Sequence, residues 1–185
     1  MTRSALVIDY IAKSDSRHDG SIIRQTLKNI GWDVALVNKP SKQKFLEKVY
    51  KAWTQQIVHI SAHGNDYFIS KSQNGLGAIT IDEIRDYFLK RLKSTDKHLD
   101  DTILVVNSAC NTASRDWQDL FINSLHVKNY VGVQGEPSMK EGILFPTALY
   151  LELWDQRERL VVKLAFERAK ALVNTEATWQ LFPER

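Results

Sequence analysis

The stretch that most constrains the fold is IVHISAHG at residues 57–64, and its pattern returns as ILVVNSACNT at residues 103–112. Each is an apolar, strand-like run that stops at one reactive side chain, His63 in the first and Cys110 in the second. In a parallel sheet, functional groups collect at the carboxyl ends of the strands. The two stretches therefore predict a base and a thiol at the same edge of one sheet.

The rest of the chain alternates between strand-like and helix-like patterns. The two quoted stretches predict strands at residues 56–62 and 102–109. Further apolar runs predict strands at residues 5–10, 33–38 and 129–133, with a short edge strand at 178–182. Amphipathic patterns predict helices at residues 21–30, from Pro40-Ser41 onwards, and at 81–92, 115–125, 143–155 and 159–173. The polar residues 65–77 predict an irregular segment or a small hairpin, and residues 135–141 predict a loop.

Alternating strands and helices favour βαβ units with right-handed crossovers. We therefore expect an α/β protein of three layers, with a mainly parallel central sheet of about five or six strands flanked by helices. No internal repeat or linker is visible in the 185 residues, so the sequence predicts a single domain over residues 1–185.

Composition and charge argue against several classes of protein. The chain is 43% hydrophobic and 25% charged, as is typical of globular domains. The net charge is +3, and no Lys/Arg cluster is dense enough to predict contact with nucleic acid. No apolar run approaches the roughly 18 residues of a membrane span, and the N-terminal residues do not have the pattern of a signal peptide. We expect a cytoplasmic protein without membrane contact.

Cys110 is the only cysteine, which excludes an internal disulfide. A thiol attacks a carbonyl as the thiolate, and a nearby imidazole can accept the thiol proton and later protonate the leaving amine. Gly64 leaves room for a substrate carbonyl beside His63, and the backbone N–H groups of Gly64 and Cys110 are natural donors to an oxyanion. The helix predicted after Cys110 would direct its positive end towards the thiolate.

Simpler interpretations compete with this one. A lone cysteine or histidine at the end of an apolar strand more often serves packing than catalysis. His59 and His63 form an H-x-x-x-H pattern, but on a strand they are about 13 Å apart and cannot share a metal ion. The sequence has no phosphate-binding glycine loop after a strand and no G-x-S-x-G elbow. It therefore predicts neither a metal site nor a cofactor.

Residues 57–113 resemble the core of the caspase-like cysteine peptidases of clan CD, especially the CHAT branch. In that branch one hydrophobic strand ends in His-x-Ser-x-His-Gly and the next core strand ends in Ser-Ala-Cys-x-Thr. This chain has His-Ile-Ser-Ala-His-Gly at 59–64 and Ser-Ala-Cys-Asn-Thr at 108–112. The histidine lies roughly 50 residues before the cysteine, as in caspase relatives. The resemblance implies a caspase-like fold in which His63 is the general base, Cys110 the nucleophile, and the backbone of Gly64 and Cys110 the oxyanion hole.

The chain departs from this family around the substrate pocket. Caspase relatives that cut after basic residues often carry an acidic side chain two residues before the cysteine, where this chain has Ser108. The tryptophan-rich motif that many CHAT domains carry after the fifth strand is replaced by Gln134-Gly135-Glu136-Pro137. Asp9, which closes the first strand, could orient His63 or line the pocket, although a carboxylate that simply begins a loop is the more common case. The candidate substrate-pocket residues are therefore Asp9, Ser108, Gln134 and Glu136, and the cleavage specificity stays open.

The resemblance implies a cysteine endopeptidase that acts on a protein or peptide substrate through an acyl-enzyme, with an activating partner or ligand. Small bacterial proteases of this kind can act in defence systems, where they activate a pore-forming protein by cleavage. The alternative is a catalytically silent module of the same fold that binds partners or serves as a scaffold. The intact pair of His63 and Cys110 favours the enzyme.

Overall fold

The computed structural model describes residues 3–15, 19–52, 55–91, 102–156 and 160–183. Nine strands lie in this described part of the chain. They are β1 (Ser4–Asp9), β2 (Asp33–Asn38), β3 (Ile57–Ser61), β4 (His63–Gly64), β5 (Phe68–Ser70), β6 (Ile79–Thr80), β7 (Leu104–Asn107), β8 (Tyr130–Gln134) and β9 (Thr178–Phe182).

The strands form two sheets. The central sheet has six strands in the order β2-β1-β3-β7-β8-β9, and the small sheet has the order β4-β5-β6. All neighbours in the central sheet are parallel except β8 and β9, which are antiparallel. The carboxyl ends of β1, β3, β7 and β8 therefore lie along one edge of the central sheet.

The helices connect these strands. They are α1 (Asp19–Asn29), α2 (Lys42–Lys51), α3 (Ile81–Leu89), α4 (Arg115–Gln118), α5 (Met139–Asp155) and α6 (Val162–Leu172). A π-helical segment, Asp119–Ser124, continues α4 without a break.

The central sheet separates two apolar cores. Strand β1 illustrates the alternation, since Leu6 and Ile8 belong to one core while Ala5 and Val7 belong to the other. The first core is closed by α2, α3 and α4, and the second by α1, α5 and α6. Because both faces are covered, the inner strands are buried along most of their length.

The predicted α/β class is confirmed, with three layers and a six-stranded, mainly parallel sheet. β2 and β9 have the predicted bounds, and β9 is the predicted edge strand. The polar segment 65–77 contains β5 and part of the small sheet, in agreement with the predicted hairpin.

Several helix boundaries differ from the sequence prediction. α1 begins at Asp19, two residues before the predicted cap at Ser21. α3 ends at Leu89, short of the predicted residue 92, which lies outside the described residues. α5 begins at Met139, so the loop predicted for residues 135–141 is wrong in its second half. The predicted start of the last helix at residue 159 also lies outside the described residues.

An 18-residue apolar span is absent from the described helices, so none of them is suited to crossing a membrane. The longest, α5, has 17 residues and carries Pro146 within it.

Candidate functional site

The register of β3 and β7 brings His63 and Cys110 to equivalent positions. The two strands pair in parallel, and the last matched pair is Ile60 with Asn107. His63 lies three residues beyond Ile60, and Cys110 lies three residues beyond Asn107. The N–H of Ser108 donates to the carbonyl of Ile60 at 3.0 Å, so the two backbone segments stay together past the strand ends.

The two backbone segments approach each other again beside His63 and Cys110. A Cβ atom placed on Gly64 would lie 2.9 Å from the Cβ of Ala109, closer than real Cβ atoms approach each other. Only glycine fits at position 64 without a shift of one of the two backbone segments. The contact brings the pair His63-Gly64 alongside the pair Ala109-Cys110.

His63 is buried and contacts a carboxylate that the sequence did not single out. Its Nε2 atom lies 2.6 Å from Oδ2 of Asp15, and the two side chains are 5% and 21% exposed. Asp15 lies in the segment between β1 and α1, 48 residues before His63. No spacing rule links these two positions, so the sequence carried no signal for the pair.

Cys110 lies in a tight turn after β7. We call residues 108–113 the Cys110 turn. The thiol is half-buried and forms no disulfide. The Thr112 hydroxyl donates to the carbonyls of Asn107 at 3.0 Å and Ala109 at 2.8 Å, which folds the chain back around Cys110. Asn111 adopts a φ of +55°, a conformation that asparagine tolerates better than most residues.

Strand β8 fixes the Cys110 turn from the other side. The N–H of Asn111 donates to the carbonyl of Gly135 at 3.0 Å, and the N–H of Gly135 donates to Oδ1 of Asn111 at 2.9 Å. The Tyr130 hydroxyl donates to the carbonyl of Thr112 at 2.7 Å. A Cβ on Gly132 would lie 2.4 Å from that same carbonyl oxygen, so the turn packs directly on the backbone of β8.

The segment after the Cys110 turn is tied to the hairpin after His63. The Trp117 indole N–H donates to the carbonyl of Asn65 at 2.9 Å, and the Ser114 hydroxyl donates to the carbonyl of Asp66 at 3.2 Å. The predicted helix after the cysteine begins at Arg115 and is α-helical for only four residues. The two reactive side chains are therefore carried by segments bound to each other on several sides.

The backbone N–H of Gly64 points away from the hairpin strand β5. Gly64 faces Ile69 and His63 faces Ser70, while the N–H of Asn65 donates to the carbonyl of Phe68 at 3.0 Å. Hydrogen-bonded and non-hydrogen-bonded pairs alternate along an antiparallel ladder, which makes Gly64 with Ile69 a non-hydrogen-bonded pair. Its N–H is directed to the open edge of the small sheet, as an oxyanion donor would require. The oxyanion role of Gly64 and Cys110 stays a prediction.

His59 is a structural residue. It is fully buried, its Nδ1 atom lies 2.8 Å from the Tyr150 hydroxyl, and its Nε2 atom lies 3.1 Å from the Ser61 hydroxyl. Burial lowers the pKa of His59 to about 3, so the ring is neutral near pH 7. Within the described ranges, no group of three or more His, Cys, Asp or Glu side chains is arranged to hold a metal ion.

The four substrate-pocket candidates divide into two kinds. Asp9 and Ser108 are buried, and the Ser108 hydroxyl donates to the carbonyl of Ile60 at 3.1 Å. Asp9 lies against the first turn of α1, where a Cβ on Gly20 would be 2.6 Å from its own Cβ. Gln134 and Glu136 are exposed, and the Gln134 side chain accepts a hydrogen bond from Gln180 at 2.8 Å. Of the four, only Gln134 and Glu136 present a surface that a substrate can reach in this conformation.

The arrangement provides a buried imidazole held by a carboxylate, and a half-buried thiol at the equivalent position beyond the end of the neighbouring strand. These are the groups that thiol-based acyl transfer requires. No protein-family model matches the chain, and no curated protein matches its sequence.

Proposed function

We propose that this chain is a caspase-like cysteine endopeptidase with Cys110 as nucleophile and His63 as general base. The observation that carries the proposal is the shared register of the two strand ends. His63 and Cys110 each lie three residues beyond a matched pair of β3 and β7. The contact of Gly64 with Ala109 supports it, because it keeps the two chain segments together beyond the strands.

In the first half of the reaction, the imidazole of His63 takes the proton from the Cys110 thiol. The thiolate sulfur then attacks the carbonyl carbon of the scissile peptide bond, and the carbonyl oxygen becomes an oxyanion. The N–H groups of Gly64 and Cys110 are suited to donate to that oxygen. Collapse of the intermediate breaks the C–N bond, and the leaving amine takes the proton from His63. An acyl group is left on the sulfur of Cys110.

In the second half, His63 takes a proton from water, and the resulting hydroxide attacks the acyl carbon. The bond between carbon and sulfur breaks, the new carboxylic acid leaves, and the proton returns to the thiolate. The cycle uses only groups of this chain and one water molecule, and it needs neither metal nor cofactor.

The substrate is proposed to be a protein, in keeping with the resemblance to caspase-like peptidases. The further role suggested by that resemblance is cleavage of a pore-forming partner in bacterial defence, with an activating partner or ligand. Gln134 and Glu136 are the two exposed candidates for contact with the substrate side chain. The amide and the carboxylate favour a polar or basic residue over an acidic one at that contact.

A peptide-library cleavage profile tests the proposal. The purified chain is incubated with a library of peptides in which every residue type occurs on both sides of the potential cut, and products are identified by mass spectrometry. Wild type is compared with Cys110→Ala and His63→Gln. We expect cleavage that Cys110→Ala abolishes and that His63→Gln slows by about 100- to 10,000-fold, the usual contribution of a general base.

His126→Gln is the matched control for His63→Gln, because His126 is an exposed histidine and the substitution is the same. It is expected to cleave like wild type. Equal cleavage by Cys110→Ala and wild type would overturn the proposal. A wild type that cuts no peptide, together with equal alkylation of Cys110 in wild type and His63→Gln, would support the silent binding module instead.

A further inference from the structure

We propose that Asp15 is a positioning residue, which fixes the tautomer and orientation of His63 so that Nδ1 faces Cys110. This inference rests on the proposed function, since it assigns Asp15 a part in the same reaction. Asp15 acts through His63 and is not expected to touch the substrate.

The contact between the two side chains is short and shielded from water. Oδ2 of Asp15 lies 2.6 Å from Nε2 of His63, and the His63 side chain is only 5% exposed. Hydrogen bonds in which one partner is ionised are shorter than neutral ones, and this contact is short even among them. Limited access of water strengthens such a bond, because the local dielectric is lower than in bulk solvent.

The backbone holds Asp15 in place from two directions. The N–H of Tyr10, next to β1, donates to the carbonyl of Ser61 at 2.7 Å, which ties the segment to the end of β3. The N–H of Ala12 donates to the carbonyl of Lys71 at 2.8 Å, directly after β5. The N–H of Asp15 donates to the carbonyl of Ala12 at 3.1 Å, which closes a turn. The backbone segment that carries Asp15 is thus bonded to the same strands that surround His63.

This contact determines which ring nitrogen can act as the base. An ionised carboxylate can only accept a hydrogen bond, so Nε2 must carry the proton and donate it to Asp15. In the neutral ring Nδ1 is then the atom with the free lone pair, and it can take the proton of Cys110. When Nδ1 is protonated the ring becomes a cation, and the ionised Asp15 stabilises it. Asp15 keeps its charge throughout, and the proton passes from Nδ1 to the leaving amine.

In a purely structural role, the contact of Asp15 with His63 would hold the segment after β1 in place and would have no effect on catalysis. The two roles differ in what removal of the charge changes. Loss of a structural contact changes stability and substrate binding. Loss of a positioning contact changes the rate of the chemical step and the proton on Nε2 of His63. Asp15→Asn removes the charge and keeps the shape. Asp33→Asn is the matched control, because Asp33 is exposed at the amino end of β2, away from the reactive edge.

Two measurements on these variants test the inference. The first is NMR of the histidine rings in ¹⁵N-labelled protein, without substrate. We expect the His63 proton on Nε2 in wild type, with a proton resonance shifted far downfield by the carboxylate, and loss of that shift in Asp15→Asn but not in Asp33→Asn. The second is steady-state kinetics on a cleaved peptide. There we expect kcat of Asp15→Asn to fall by about 10- to 1,000-fold with KM within about threefold of wild type, and Asp15→Glu to recover part of the loss.

A wild-type His63 with its proton on Nδ1 would overturn the inference. So would a kcat for Asp15→Asn that equals that of Asp33→Asn, or a downfield resonance that survives Asp15→Asn. The NMR measurement needs no activity, so it separates the two proposals. A wild type without any cleavage contradicts the proposed function, while the Nε2 resonance still reports on the pairing of Asp15 with His63.

Discussion

Gly132 has no room for a side chain where it packs on the Cys110 turn. A Cβ at this position would lie 2.4 Å from the carbonyl oxygen of Thr112 and 2.8 Å from the backbone nitrogen of Ala113. Both are backbone atoms, so rotation of a side chain cannot relieve the overlap. The turn is also bonded to Tyr130 in β8 and, through Asn111, to Gly135 just after β8. It can therefore make room for a new methyl group only by moving as a unit.

Gly132→Ala is expected to displace the Cys110 turn by a few tenths of an ångström to about 1 Å. Misplacement of a reacting atom on that scale can reduce the rate by about 100-fold. Overpacking should also lower the free energy of unfolding by about 1–3 kcal/mol. Peptide-cleavage kinetics and urea denaturation measure the two effects.

The control for Gly132→Ala is Gly75→Asn, in a turn where nothing lies within 4 Å of the Cβ position. Asparagine tolerates the φ of +75° found there better than most residues. The Gly75→Asn variant should therefore cleave peptides at the wild-type rate. Activity of Gly132→Ala equal to that of the control would show that the close packing of the turn on β8 is not needed for catalysis.

Individual residues were predictable only where a local pattern identified them. His63 and Cys110 end apolar runs, and this local pattern identifies both. Asp15 has no such marker, because its contact with His63 spans 48 residues and depends on how the segment after β1 folds back. Ser108 was predicted as a pocket residue from its position relative to the cysteine, but it is buried and bonded to Ile60. Sequence spacing does not reveal which way a side chain points after a strand ends.

At the scale of elements, strands were predicted well where hydrophobic runs have clear polar ends. β2 and β9 match to the residue, whereas β7 is shorter than the predicted run because the Cys110 turn begins at Ser108. The parallel pairing of β3 with β7 follows from the alternation of strands and helices. Their register does not, and it is the register that aligns His63 with Cys110.

The start of α5 carries a local signal in the sequence. Ser138 and Glu141 form a capping box, in which the Ser138 hydroxyl accepts from the N–H of Glu141 and the Glu141 carboxylate accepts from the N–H of Ser138. This Ser-x-x-Glu pattern predicts a helix start at Met139. Glu141 also accepts from the N–H groups of Glu176 and Ala177, just before β9, a long-range contact that no local pattern indicates.

At the scale of the whole molecule, His59 joins the sheet to its helical layer. The ring lies in β3 and contacts the Tyr150 hydroxyl in α5, so one buried polar pair connects the central sheet to the layer behind it. Both groups are fully buried. Protonation of His59 would place a charge in the second core, which links the pH dependence of folding to this contact.

The stability of the protein is expected to fall with pH below 6.5. The folded-state pKa of His59 is lowered from 6.5 to about 3 by burial, so the unfolded chain binds the proton first as the pH falls. The contribution of neutral His59 to the free energy of unfolding is therefore complete above pH 6.5. It decreases by roughly 1 kcal/mol per pH unit as the pH falls towards 3. The lowered pKa values of Glu83 and Glu141 act only below their ordinary value of 4.5.

Urea unfolding at several pH values between 4.5 and 7 measures this slope. His59→Gln removes the titrating ring and is expected to flatten the slope, while it lowers the overall stability. His126→Gln makes the same substitution at an exposed histidine and is the control for the loss of an imidazole. A slope that is unchanged in His59→Gln would mean that another group is responsible for the acid sensitivity.

The central claim is that His63 activates Cys110 for attack on a peptide carbonyl. Intact-protein mass spectrometry with peptidyl acyloxymethyl ketones tests it most directly, since these probes form a stable bond with an activated thiol. A pool with varied residues next to the ketone avoids any assumption about specificity. Iodoacetamide in excess and with long incubation alkylates an accessible thiol even without activation, so the final extent of labelling measures whether Cys110 stays exposed in each variant.

The expected result is one probe adduct on Cys110 in wild type, none in Cys110→Ala, and labelling that is at least about 100-fold slower in His63→Gln, the lower end of what a general base contributes. Iodoacetamide should react with Cys110 in both wild type and His63→Gln. A wild type that iodoacetamide labels but the peptide probes do not, or a His63→Gln variant that the probes label as fast as wild type, would contradict the claim.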